Sequence, residues 1–127
     1  MANDTRIAIW SAVPDGSSIL ISAKGTTRKK LITAHAFLLR SDGMEQTFPD
    51  NLVQPGPVSV TLESPNTYSI LVDLVYVTSG TAEVTAEVVD PGKKRIPADG
   101  TTDKRFKSTL AGSQGQTLGL TFIIITA

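Results

Sequence analysis

The sequence predicts an all-β chain: a single antiparallel β-sandwich of about eight strands, immunoglobulin-like or jelly-roll, with no significant helix, over residues 1–127. Three observations predict it. A three-residue loop ending in glycine occurs four times between strand-like runs, as Pro14-Asp15-Gly16, Ser41-Asp42-Gly43, Thr78-Ser79-Gly80 and Ser113-Gln114-Gly115. The runs alternate apolar and polar residues, the period of a half-buried strand. Two longer connections rich in proline and glycine, from Pro49 to Pro57 and from Asp90 to Gly100, give the crossings a two-sheet fold needs.

A three-residue hairpin loop is commonly a type I turn followed by a residue at φ > 0, which glycine adopts without steric cost. Each copy therefore predicts a hairpin. The first aligns Ile7 and Ile9 with Ile21 and Ile19 on one face, leaving Trp10 and Leu20 on the other. The second, the least regular, sets Ala36, Leu38 and Arg40 beside Phe48, Gln46 and Met44. A strand from Val58 to Glu63 follows the first long connection, and Ser64-Pro65-Asn66 turns the chain into a strand from Tyr68 to Val77. The third loop pairs that strand with Thr81 to Val88, placing Ile70, Val72, Leu74 and Tyr76 on one face with Val88, Ala86, Val84 and Ala82. A one-residue slip would put Asp73 on the apolar face, so burial selects this register. The fourth loop sets Phe106 opposite Phe122, a strong cross-strand pair.

A chain of 127 residues builds one core without staples. The absence of cysteine removes disulfides, thiolate chemistry and thiolate metal sites, and fits a reducing compartment. No apolar signal core opens the chain, and no apolar run approaches the roughly 20 residues of a membrane span. The expectation is a soluble, cytoplasmic protein, with assembly into a particle or non-classical export as further settings. The formal net charge is zero but segregated: residues 1–40 hold six basic and two acidic groups, residues 41–92 none and eight, residues 93–127 six and two. Folding either cancels this between neighbouring strands or leaves a basic and an acidic end that orient contacts between copies.

The inventory for catalysis is thin. His35 is the only histidine and lies mid-strand, no serine sits in a nucleophile elbow, and the glycines at 112, 115 and 119 are on a hairpin rather than at a phosphate-cradling strand-to-helix turn. Asp73, Glu83 and Glu87 fall within diagonal reach in the predicted register, at a spacing that a solvated strand face also gives. Asp99 and Asp103, with Asp90, are weak candidates for calcium, and no other cofactor is expected.

Binding is better supported. The strands Leu31 to Leu39 and Phe122 to Ile125 are apolar on both faces, whereas the outer face of a two-layer fold should be polar. Trp10, Leu20, Ile123 and Ile125 are the candidate interface or ligand residues on that outer side, and the expected partner is a second copy of the chain. The expectation is thus a non-enzymatic, self-associating binding or structural protein. A lectin-like module, with Trp10 as a stacking ring and calcium in support, is the alternative. A third reading takes Lys24, Arg28, Lys29, Lys30, Lys93, Lys94 and Arg95, with Lys104, Arg105 and Lys107, as an anion or nucleic-acid surface. Nucleic acid is the weaker expectation, because stacking aromatics are missing among the charges.

Overall fold

A computed structural model of the chain describes residues 7–25, 32–48 and 58–127. Those residues form ten strands and no helix. In chain order they are β1 (Ile7–Val13), β2 (Ser18–Gly25), β3 (Ile32–Arg40), β4 (Glu45–Phe48), β5 (Val58–Thr61), β6 (Thr67–Tyr76), β7 (Gly80–Val89), β8 (Arg95–Ile96), β9 (Phe106–Gly112) and β10 (Thr117–Thr126). The first sheet has the order β1-β10-β6-β3-β4, and the second runs β5-β2-β7, with β8 and β9 both paired to the far side of β7. All pairings are antiparallel except β1 with β10, so the first sheet is mixed. The two strands beyond the eight expected come chiefly from short edges, β8 being two residues inside the second long connection.

Three of the four glycine loops are not hairpins. Only Ser41-Asp42-Gly43 joins ladder partners, in the predicted register of Ala36 with Phe48 and Leu38 with Gln46. Gly43 has φ 95° there, and Arg40 N–H donates to the Met44 carbonyl at 2.8 Å. The other three loops carry the chain from one sheet to the other: β1 to β2, β6 to β7, and β9 to β10. Turn chemistry specifies a reversal, and a reversed strand can lie beside its predecessor or across the core from it. Either placement buries the same alternate residues. The predicted core face of the third unit is accordingly correct in composition, since Ile70, Val72, Leu74, Tyr76, Ala82, Val84, Ala86 and Val88 are all buried. They meet across the core instead of along a ladder. Phe106 and Phe122 are likewise neighbours, ring centroids 5.4 Å apart at 80°, but from opposite sheets.

The first unit is where the assumed hairpin misled. Trp10 is 1% exposed and Ile7 59%, so the faces of β1 are the reverse of the expectation. The ladder partner of β1 is β10, with Ile9 beside Ile123, and nothing aligns Ile9 with Ile19. Burying the largest apolar side chain outweighs burying two isoleucines here because the indole also finds a polar partner, its N–H donating to the Ile96 carbonyl at 3.0 Å. A bulge then restores the alternation: the register shifts between Trp10 and Val13, Ala12 takes φ 53°, and Val13 returns to the core.

One apolar cluster fills the space between the sheets, drawing on Trp10, Leu38, Tyr68, Ile70 and Phe122 from the first and on Ile19, Ile21, Val84, Val88 and Leu110 from the second. Both tyrosines are in it, and the Tyr76 hydroxyl donates to the Leu110 carbonyl at 2.5 Å. The Tyr76 ring lies so close to β9 that a Cβ at position 112 would stand 2.5 Å from it, which is why β9 ends on glycine.

Candidate interaction face

The outward faces of the two sheets differ in chemistry. On the second sheet, β2 and β7 present Ser18, Leu20, Ser22 and Lys24 beside Val89, Glu87, Thr85 and Glu83. Glu83 lies between Lys24 at 3.7 Å and Lys107 at 3.8 Å, and Glu87 between Arg95 at 3.1 Å and Arg105 at 2.9 Å. The basic groups come from the two ends of the chain and the glutamates from its middle, so here the charge segregation cancels between neighbouring strands. Leu20 is half-buried among these polar neighbours and belongs to no apolar patch.

On the first sheet the outward rows are apolar. Ile7 continues through Thr121 and Leu71 to Phe37, and Ile9 continues through Ile123 and Ser69 to Leu39. Ile125 and Val75 extend the surface along β10 and β6. Ile7, Ile9, Leu39, Leu71, Val75 and Ile125 are each at least 37% exposed, so among the described residues nothing covers this apolar face. Its physical origin is plain in β3 and β10, whose strands are apolar on both sides while only one side reaches the core.

The candidate residues divide accordingly. Ile123 and Ile125 lie on this face, Leu20 lies on the opposite side of the molecule, and Trp10 lies inside it. Burial takes from Trp10 the stacking surface that a sugar-binding reading requires. Ile7, Ile9, Leu39 and Leu71 join this face: hairpin logic puts Ile7 and Ile9 on the core side, and the parallel pairing of β1 with β10 brings them into register with β6 and β3 instead. Asp73 is outward on the first sheet and Glu83 and Glu87 outward on the second, so the acidic constellation does not assemble. Among the described residues no group of three or more acidic or histidine side chains could hold a metal ion. Asp99 is engaged instead by Ser11, whose N–H donates at 3.2 Å and whose hydroxyl donates to the other carboxylate oxygen. Of the basic patch, Lys24 and Arg95 are in the ion pairs above, Lys93 and Lys94 are exposed in the turn after β7, and Arg28, Lys29 and Lys30 lie outside the described residues.

The edges of the first sheet limit how it can meet another chain. The open edge of β1 is taken up by the loop before β9, where Asp99 N–H donates to the Ile9 carbonyl at 2.7 Å and the Asp99 carboxylate receives Ser11 N–H. An incoming strand cannot use those groups, which is how natural sheets avoid edge-to-edge growth. At the other side, a cleft of about 280 Å³ opens between β4 and β5, lined by Arg40, Gln46, Thr61, Glu63 and Tyr68 among others. Arg40 is not a free anion receptor there. Its guanidinium grips Asp42 through two hydrogen bonds, of 2.9 and 2.6 Å, and stands 4.0 Å from Glu63.

That grip, helped by the Met44 N–H, lowers the Asp42 carboxyl from 3.8 to about 2. A carboxyl held below its unfolded value adds stability above that value and loses it as pH falls through the folded one. The contribution of this exposed pair is therefore present above about pH 4 and fades toward pH 2. Carboxyl titration by NMR should give Asp42 a midpoint near 2, and Arg40→Gln should return it toward 3.8. An unmoved midpoint in the variant would contradict the assigned cause.

No known protein family, curated protein or solved structure matches this chain.

Proposed function

We propose that the protein is a non-enzymatic β-sandwich that acts by binding, and that it associates with further copies of itself through the outward face of the first sheet. The supporting observation is the cluster of outward apolar side chains around Ile7, Ile9, Leu71, Ile123 and Ile125, on the side of the core away from a sheet whose outer face carries paired charges. Two sheets on one predominantly apolar core support the sandwich reading and leave the outward surface for recognition.

A second copy is the occupant that best fits the size of the face. Five strands about 4.8 Å apart, each presenting some 20 Å of length, give roughly 500 Å² per copy, so a pair buries about 1,000 Å², the lower bound of specific interfaces. The β1 edge is already bonded to Asp99, which closes that edge to strand addition and favours stacking through the face. Burial supplies the free energy. Molar mass by light scattering during size-exclusion chromatography, at about 50 and 500 mM salt, tests the proposal across a change in screening length. A defined oligomer that survives high salt is expected. A monomer under both conditions would sink the proposal.

A further inference from the structure

An acid and a base face each other within the apolar face. His35 of β3 is directly opposite Asp73 of β6 in the antiparallel ladder, and both are exposed. Opposite residues on one face have Cβ atoms about 4.5–5.5 Å apart, within reach of an imidazole and a carboxylate. On the far side of Asp73 the ladder continues to Gly119 of β10, where a Cβ would lie 3.5 Å from the Asp73 carboxylate. The groups around the pair carry no charge: Thr33 and Phe37 on β3, Leu71 and Val75 on β6, and Thr117 and Thr121 on β10. Strand β1 brings Ile7 and Ile9 to this face, and β4 brings Thr47 and, opposite Leu39, Glu45, two rows from His35. Among the described residues, His35 and Asp73 are thus the one acid-base couple within the surface.

We infer that His35 and Asp73 make self-association through this face pH-dependent, an inference that rests on the association proposed above. Covering the face removes water from Asp73. A carboxylate buried alone is costly, whereas a carboxylate buried against an imidazolium is compensated. Histidine is the side chain whose ordinary range lies between pH 5 and 8, so the compensating proton is available on the acidic side of that range and lost on the basic side. Assembly therefore takes up a proton on His35. By linkage, association tightens as pH falls from 8 to 5.5.

The test is a concentration series by analytical ultracentrifugation at pH 5.5 and pH 8.0 and constant ionic strength, on the wild type, His35→Gln and Asp73→Asn. Both substitutions are at exposed positions and leave the core untouched. The wild type is expected to associate about tenfold or more tightly at pH 5.5, the equivalent of one titrating proton over a pH unit. His35→Gln should show the weak, pH 8 affinity at both values, and Asp73→Asn should bind no more tightly at pH 5.5 than at pH 8, because its imidazolium would be buried without a carboxylate. An oligomer whose affinity is flat with pH in the wild type overturns this inference and leaves the self-association standing. Persistence of the pH response in both variants overturns the assignment to this pair. A monomer at both pH values up to the highest concentration overturns the association as well.

Discussion

Trp10→Ala is expected to cost about 3–5 kcal/mol of folding stability, the range for truncating a large buried aromatic. The indole is 1% exposed and packs edge-on against Phe122 at 5.8 Å and Phe106 at 6.3 Å, centroid to centroid. Phe122 belongs to the first sheet and Phe106 to the second, so the three rings tie the layers together. The indole N–H also satisfies the carbonyl of Ile96, on β8 of the second sheet. Alanine would leave a cavity spanning that junction and an unpaired carbonyl beside it. Urea unfolding followed by circular dichroism reads this directly. A loss below about 1 kcal/mol would mean that the ring is not the bridge described.

Ile9→Lys is expected to do the reverse, raising the dissociation constant of the self-associated form at least about tenfold while leaving stability within roughly 1 kcal/mol of the wild type. Ile9 is 38% exposed and directly beside Ile123, near the middle of the β1 and β10 rows. A lysine there keeps its stem on the sheet and carries its charge outward, so the isolated domain tolerates it. In a stacked pair that charge would be desolvated against a face whose only acidic groups among the described residues are Asp73 and, at the β4 edge, Glu45. Light scattering at several concentrations, paired with the same urea titration, separates the two effects. Unchanged mass with unchanged stability would remove the β1 rows from the interface.

These two residues are neighbours in the chain, and reading one as surface and the other as core depends on information the local pattern does not contain. The stretch Ile7-Ala8-Ile9-Trp10 is apolar throughout, so both of its faces are apolar. Choosing between them needs the partner strand. The first loop suggested β2 as that partner and hence Ile9 with Ile19; the partner is β10, arriving from the far end of the chain. Asp99, which closes the β1 edge, and Ile96, which receives the indole proton, also lie more than 80 residues away. Contacts of that separation leave no trace in spacing or composition.

Strand positions, by contrast, were legible. Val58 to Thr61, Thr67 to Tyr76 and Phe106 to Gly112 lie where alternation and bounding turns put them, and Ile70, Val72, Leu74 and Tyr76 point inward as predicted. The unusual two-sided apolarity of β3 and β10 was visible as well, and it is the origin of the outward face around Ile123 and Ile125. The sequence by itself therefore determined where the chain extends, where it reverses and, for most strands, which side is dry, because side-chain direction alternates with a period of two and a reversal is set by three or four residues. Only the tertiary structure decided which strands became neighbours. A reversed strand buries the same residues whether it continues the ladder or crosses the core, and the choice between those outcomes is made by the packing of residues far apart in the chain.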